Sequence, residues 1–335
     1  HTALKRSQIQ GGDVLVTIAG TIGRTGVVPH DAPEMNCNQA VAIVRPTPEI
    51  ERSYLRHWLE SQDARSEMLG STVTGTISNL SLSQLGELRV PLPSLEEQRR
   101  IAAILDQAET LRTQRRTALA LLDSLTQSLF LDMFGDPVAN PKGLPICELQ
   151  RLCTRITDGT HQSPAWQKSG IPFLFISNIV EGQINFDTHK FISADTHAEL
   201  TKRCPIEIGD VLYTTVGSYG NAAVVSTKEL FAFQRHIAHI KPDRSKLDSR
   251  FLAAMIQSPG VRQQVDKVAK GIAQKTVNLA DLKGLSVFWP PLPLQQTFAT
   301  RIASIEALKA THRRALAALD ALFASLQQRA FTGAL

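Results

Sequence analysis

Long apolar runs, a secretion signal and paired cysteines are all missing from the 335-residue chain. No run of about eighteen apolar residues occurs, so no transmembrane helix is predicted. The first ten residues, HTALKRSQIQ, lack the apolar segment of a signal peptide. Four cysteines without CxxC spacing favour a reducing cytoplasm over a disulfide framework or a zinc site; they are Cys37, Cys147, Cys153 and Cys204.

Recognisable catalytic motifs are absent as well. The chain contains no Walker, G-x-S-x-G, HExxH or DPPY-like sequence. His236 and His239 are three positions apart in a β-rich segment and would point to opposite faces of a strand, so we predict no metal site. We therefore predict a binding protein that is not an enzyme, has no catalytic residues and binds no cofactor itself.

The chain has the composition of an ordinary globular protein and a net positive charge. Apolar residues make up 43% of it, and 36 Lys and Arg face 31 acids, which gives a net charge of +5 and a pI near 9.1. Such a balance permits a polyanionic partner without requiring one.

An internal repeat organises the sequence. GDVLVTIAGTIGRTGVV begins at Gly12 and GDVLYTTVGSYGNAAVV begins at Gly209, an offset of 197 residues. The same offset relates LPSLEEQRRIA at Leu92 to WPPLPLQQTFA at Trp289. So long a period indicates two copies of a whole module. The second copy begins near Leu144, so the equivalent of about fifty residues of the first copy is expected to be missing from this sequence.

Each module ends in a long helical segment with an apolar seam of alternating three- and four-residue spacing. The polar interruptions coincide under the offset, with Arg112 matching Lys309 and Arg115 matching His312. A helix of about 38 residues would be roughly 57 Å long, and its narrow stripe calls for a partner helix. We predict that the two helices pair antiparallel; the alternative is that each packs on its own module.

The modules themselves are predicted to mix helices and strands. Strands are expected at Val14–Ala19 and Val211–Val216, and again before Arg45-Pro46 and Lys241-Pro242. Amphipathic helices are expected over residues 51–68 and 248–268.

Five loops, with residues that flank them, carry the candidate DNA contacts. Gly20–Gly23 and Gly217–Gly220 are either turns between strands or backbone approaches to phosphate. Residues 74–79 and 270–278 correspond by the offset. Both are rich in small hydroxyl and amide groups and the second adds two lysines, which suits contacts to base edges and phosphates. The alternative for these two loops is that they cap the helices that follow. Asp158–His161 is either a tight turn or a ligand-facing loop. The predicted DNA-binding residues are Arg24, Thr76, Ser78, Asn79, His161, Ser218, Tyr219, Asn221, Lys270, Gln274, Lys275 and Asn278.

In combination, the tandem modules, the PLPSLEEQRRIA and PPLPLQQTFA junctions, the linker at Met133-Phe-Gly-Asp-Pro and the closing Gln328-Arg-Ala-Phe-Thr-Gly resemble the specificity (S) subunit of type I restriction-modification systems. The resemblance implies two target recognition domains that read the halves of a split DNA site, with the helices fixing the gap. It implies docking to two methyltransferase subunits and, through them, to motor-nuclease subunits. S-adenosylmethionine, ATP and magnesium would be bound by those partners.

The predicted fold is α+β: two mixed α/β recognition-type domains joined by two long antiparallel helices in a coiled coil with pseudo-two-fold symmetry. The predicted parts are the first module at residues 1–95, a helix at 96–134, the second module at 135–293 and a helix at 294–335. The alternative functions are a coiled-coil adaptor that does not read DNA, or a specificity subunit of a methylation-only or other phage-defence complex.

Overall fold

The computed structural model describes residues 7–70, 79–271 and 274–335. The chain forms two compact units: unit 1 comprises His1–Leu119 and Ala310–Leu335, and unit 2 comprises Ala120–Lys309. Each long helix contributes one segment to each unit. The predicted four-part division of the chain stays a prediction.

Unit 1 is built on a three-stranded antiparallel sheet of order β3-β2-β5, beside a small β1-β4 pair. Apolar residues of β2 pack against the first two helices in a core that contains Val14, Leu55, Trp58 and Met68. The elements of this unit before the long helices are β1 (Gln8–Ile9), β2 (Val14–Thr17), β3 (Thr25–Val27), β4 (Met35–Asn36), β5 (Val41–Val44), α1 (Arg52–Leu59), α2 (Gln62–Gly70) and α3 (Leu82–Gly86).

The long helices are α4 (Leu95–Phe134) and α9 (Leu292–Phe331), which begin within two residues of their predicted starts. Neither contains an interior proline or glycine that would interrupt it, apart from Pro293 in the first turn of α9, where proline is tolerated.

Unit 2 holds the larger sheet, an antiparallel arrangement of order β13-β12-β15-β7. One face of this sheet packs on helices in a core that includes Tyr213, Ile240 and Phe251, and the other face packs under Phe231 and Phe233. Its elements other than the long helices are β6 (Ile146–Glu148), β7 (Cys153–Asp158), β8 (Ile171–Leu174), β9 (Ile179–Val180), β10 (Gln183–Ile184), β11 (Phe191–Ile192), α5 (Ala194–Thr201), β12 (Val211–Thr214), β13 (Ala222–Val224), β14 (Ala232–Phe233), β15 (Ile237–Pro242), α6 (Ser249–Gln257), α7 (Pro259–Val268), α8 (Leu279–Lys283) and β16 (Ser286–Phe288).

The helices predicted over residues 51–68 and 248–268 are each two helices. In unit 1 the break falls between α1 and α2, where the Ser61 amide donates to the Trp58 carbonyl at 2.9 Å. In unit 2 it falls between α6 and α7, where Ser258 donates to the Met255 carbonyl and Pro259 starts the next helix. Proline lacks the amide that would continue α6, which explains the second break.

Segments of the two long helices pair antiparallel within each unit. In unit 1, Arg112 of α4 binds Asp320 of α9 at 2.6 Å and lies over the ring of Phe323. Arg115 contacts His312, its own equivalent under the repeat, at 3.2 Å between Nη1 and Nδ1.

In unit 2 the same arrangement recurs with the helices exchanged. Lys309 of α9 binds Asp123 of α4 at 2.8 Å, and Phe130 and Phe134 of α4 pack against Phe298 of α9. The predicted pairing is therefore confirmed, and two of the polar seam residues, Arg112 and Lys309, form ion pairs across it.

Buried hydrogen bonds join each module to the start of its long helix. The Gln98 side chain accepts from the Glu51 amide at 2.9 Å and donates to the carbonyls of Glu49 and Pro93. Gln295 repeats this set with Asp248 at 2.9 Å, Lys246 and Pro290. Both glutamines are at most 1% exposed.

The described residues contain no helix that is long and apolar enough to cross a membrane. All four cysteines are free thiols. Burial raises the pKa of Cys153 to about 12, so this thiol stays protonated at neutral pH.

Candidate nucleic-acid interface

Two of the predicted loops meet at one end of the large sheet in unit 2. The Gly217 amide donates to the Lys275 carbonyl at 3.0 Å, and the Val277 amide donates to Thr215 at 2.8 Å. Thr276 forms bridges to both Val216 and Lys270. The structure therefore places the Gly217–Gly220 turn beside the described end of the 270–278 loop.

Gly220 requires glycine on two grounds. Its φ is +92°, in the region that side chains rarely adopt, and a Cβ there would collide with the guanidinium of Arg262. Arg262 in turn donates to the Tyr219 carbonyl at 2.5 Å. This turn is thus shaped by close packing against α7.

Tyr219 is held by the same helix. Its ring lies 4.4 Å from the Arg262 guanidinium, its hydroxyl donates to Asp266 at 2.8 Å, and the residue is only 7% exposed. These contacts leave Tyr219 little surface for DNA. Its neighbour Ser218 is exposed, and Asn221 donates to the Ser218 carbonyl at 3.0 Å.

A cleft of about 440 Å³ opens between these loops and the ends of β7 and β15. It contains two predicted residues, Gln274 and Asn278, together with residues that the sequence did not single out for DNA contact. Its lining comprises Asp158, Thr215, Val216, Arg235, His236, Gln274, Thr276, Val277, Asn278 and Leu279.

A second cleft of about 230 Å³ shares Arg235 and His236 with the first. It also contains His161 and the aromatic residues Trp166 and Phe175. The two clefts share these two lining residues, and we call the two together the recognition groove. Histidine, glutamine, arginine and aromatic side chains are the groups that bind or stack on bases.

His161 and Asn278 are both held in place within this groove. The His161 ring contacts the Asp158 carboxylate at 2.9 Å while remaining exposed. Asn278 caps α8, because its Oδ1 accepts from the Asp281 amide at 2.8 Å. The alternative interpretation of Asn278 as a cap therefore describes its side chain in this structure.

Arg235 and His236 are the functional candidates that sequence reasoning missed. The Arg235 Nε donates to His236 Nε2 at 3.2 Å, and the Arg235 amide donates to the Thr160 carbonyl at 2.9 Å. Burial, with the charges of Arg235 and His161, lowers the pKa of His236, so the ring is neutral at pH 7 and can accept this bond. The sequence offers one signal for these two residues: they directly precede a strand that both copies of the repeat contain.

In unit 1, Arg24 and Asn79 are both exposed. The Leu80 amide donates to the Ile18 carbonyl at 2.9 Å, as the Val277 amide donates to the Thr215 carbonyl in unit 2. Thr76 and Ser78 lie outside the described residues. Lys270 and Lys275 are exposed in unit 2. Within the described ranges no group of three metal-ligating residues comes together.

Comparison with protein families gives one matching family model, described as "Type I restriction modification DNA specificity domain", over residues 4–120 and 147–320. The chain is 37% identical to the type I restriction enzyme EcoBI specificity subunit of Escherichia coli over 137 residues, which covers 39% of this chain and 28% of that protein. It is 23% identical to the StySPI specificity subunit of Salmonella potsdam over 362 residues, covering 99% of this chain and 77% of the relative.

Solved structures share the fold. A chain from a study of type I R-M complex assembly and conformational transition matches with a TM-score of 0.56 and 21% identity, covering 98% of this chain and 83% of that chain. The type I S subunit from M. genitalium matches with a TM-score of 0.61 and 15% identity, covering 98% and 84%. At these identities the likeness concerns the fold.

Proposed function

The chain belongs to the type I restriction-modification DNA specificity family, and on that premise we propose that it reads a bipartite DNA site, with one half bound by each module. The resemblance inferred from the sequence is thereby confirmed, as is the prediction of a specificity subunit that is not itself catalytic. The reading of a bipartite DNA site and the docking of partner subunits are what we propose here.

The observation that carries the proposal is the recognition groove in unit 2. It joins three loops that present amide, imidazole and guanidinium groups, and two exposed lysines lie in its 270–278 loop. Side chains of these kinds read base edges, while lysines bind phosphates and supply salt-dependent affinity. In unit 1 the Leu80 amide makes the hydrogen bond to Ile18 that Val277 makes to Thr215 in unit 2, which favours a second reader of the same design.

The paired helices are proposed to set the gap between the two half-sites. Two half-sites must be spaced by a defined number of base pairs to face a two-headed protein correctly. Helices tied by Arg112–Asp320 in one unit and Lys309–Asp123 in the other keep a register that a flexible linker would not.

Partner subunits complete the proposal. We propose docking to two methyltransferase subunits and, through them, to motor-nuclease subunits in the cytoplasm. S-adenosylmethionine, ATP and magnesium would be bound by those partners. A coiled-coil adaptor without DNA readout is the competing function, and a methylation-only or other phage-defence complex would use the same chain.

The test is to co-express the chain with the neighbouring methyltransferase subunit and to map methylated adenines across the host genome. A split motif with a fixed gap is expected, and it should disappear when the specificity chain is omitted. Methylation that is absent, or that has no sequence preference, would favour the adaptor.

A further inference from the structure

The turn before strand β5 in unit 1 is built like the turn before β15 in unit 2. The Val41 amide donates to the Asn38 carbonyl at 3.2 Å, and the Ile237 amide donates to Gln234 at 3.1 Å. The Ile18 amide donates to the Ala40 carbonyl at 2.8 Å, and the Thr215 amide donates to the His236 carbonyl at 2.9 Å. The two turns therefore have the same backbone hydrogen bonds.

These contacts also fix which residues correspond. Arg45 binds Asp13 at 2.7 Å, and Lys241 binds Asp210 at 2.9 Å. Because Asp13 and Asp210 are 197 residues apart while Arg45 and Lys241 are 196 apart, the repeat is one residue shorter in unit 2 by this point. With that correction, Gln39 and Arg235 occupy the same turn position.

Both side chains are exposed at this position. Among the residues that the structure describes, no carboxylate pairs with Arg235, and Gln39 makes no side-chain hydrogen bond. Arg235 lies where the two clefts of the recognition groove meet, and its Nε is engaged by the neutral His236 ring. That bond orients the guanidinium and leaves its two terminal amino groups for a ligand.

Glutamine and arginine read different purines in the major groove. Glutamine pairs bidentately with N6 and N7 of adenine, and arginine with O6 and N7 of guanine. We propose that this turn position is a base-reading position in both modules, at which Gln39 selects adenine in one half-site and Arg235 selects guanine in the other. The assignment rests on the proposed DNA-reading function. His236 acts as a positioning residue for Arg235.

The test uses the full chain assembled with its methyltransferase partner. The complex selects DNA from an oligonucleotide library in which both half-sites are randomised, and methylation motifs are mapped in cells in parallel. Arg235→Ala should lose the guanine preference at one position of one half-site, a drop of about 5- to 150-fold for that base. Arg235→Gln should shift the same position toward adenine, and Gln39→Arg should shift one position of the other half-site toward guanine.

Matched controls change the same residue types elsewhere. Arg151→Gln removes an exposed arginine of unit 2 outside the groove, and Gln62→Arg adds an arginine to an exposed position on α2 of unit 1. Both should leave the selected motif unchanged. A His236→Ala variant should weaken the guanine preference less than Arg235→Ala does, without changing any other position.

The outcomes separate this inference from the function on which it rests. If the wild-type complex selects no split motif, the DNA-reading function itself fails. If wild type selects a motif but Arg235→Ala keeps every base preference, the base-reading position is wrong while the function stands. If Arg235→Ala selects no sequence at all, the residue supports the groove as a whole, and the one-base assignment is likewise overturned.

Discussion

Gln98 and Gln295 make the same three hydrogen bonds in units 1 and 2, each clamping the residue before a module helix to the start of a long helix. Both side chains are fully enclosed, so each amide replaces water for three backbone groups. Both copies keep this set of hydrogen bonds. We infer that this junction, more than the module surface, fixes the orientation of each module relative to the start of its long helix.

Removing the Gln295 amide should destabilise unit 2. Gln295→Ala leaves the Asp248 amide and two carbonyls without partners in a buried site, and each such group costs about 1 kcal/mol or more. We expect the free energy of unfolding to fall by roughly 3 kcal/mol. Urea unfolding and hydrogen exchange of the α6 amides measure this. Gln296→Ala, one position along and exposed, should change it by less than about 0.5 kcal/mol; equal losses in both variants would argue against the clamp.

His57 should make unit 1 sensitive to mild acid. Its ring is 0% exposed and contacts Asp106 at 2.8 Å. Burial, together with the charge of Arg56, lowers its pKa despite the bond to Asp106, so the folded state favours the neutral ring. The associated stability is complete above the unfolded value of about 6.5 and is lost as the pH falls below it.

Hydrogen exchange of the α1 amides between pH 7.5 and pH 5.5 tests that expectation, after correction for the intrinsic exchange rate. Protection should fall in the wild type as the pH is lowered, because the folded state disfavours the charged ring. The fall should be absent in His57→Gln. It should persist in His189→Gln, which removes an exposed histidine of unit 2. An identical pH dependence in His57→Gln would exclude this residue as the cause.

The lysines of the 270–278 loop should contribute phosphate contacts. Lys270→Ala with Lys275→Ala removes two exposed cations, so the assembled complex should bind its DNA more weakly. The slope of log affinity against log salt should become shallower by about 1.8. Titrations at several salt concentrations measure the slope, with Lys228→Ala as an exposed lysine outside this loop. A slope that stays at the wild-type value would remove the loop from the interface.

Lengthening both long helices by one heptad should change the gap in the DNA site. Seven residues inserted after Arg116 and after Arg313 keep the seam in register and add about 10 Å of helix. The mapped motif should then tolerate a gap that is longer by about 3 base pairs, given roughly 3.4 Å per base pair. The same insert in α4 alone should abolish motif selection, because the helices lose their pairing. A gap unchanged by the double insertion would refute the spacing role.

The sequence predicts the architecture well because the repeat gives two copies of most elements, so that a pattern seen in one copy can be checked in the other. Arg112 and Lys309 coincide in the seam under the 197-residue offset, and both form ion pairs across the helices. Strand β2 was expected from its Gly-Asp opening and its valine-rich run, and it extends over Val14–Thr17. The spacing of apolar residues in such elements follows from which face is buried, and this spacing can be read from the sequence.

The groove was predicted less completely because it is assembled by tertiary contacts. Gln274 is predicted from its loop composition, yet Arg235 and His236 enter the groove only because β15 begins beside that loop. Tyr219 is predicted to contact DNA from the Gly217–Gly220 turn, but Arg262 and Asp266, more than forty positions away, hold it inward. No short-range pattern encodes such pairings.

Exposure at the turn shared by Gln39 and Arg235 has a consequence for how this protein can diverge. A side chain there makes few demands on folding, whereas Gln98 and Gln295 tolerate almost no change. A lineage could thus acquire a new preference through single codon changes while its framework stays intact. On the proposed function, each such change would alter every recognition site in the genome at once. The cell would then have to survive a period in which its own DNA still carries the earlier methylation pattern.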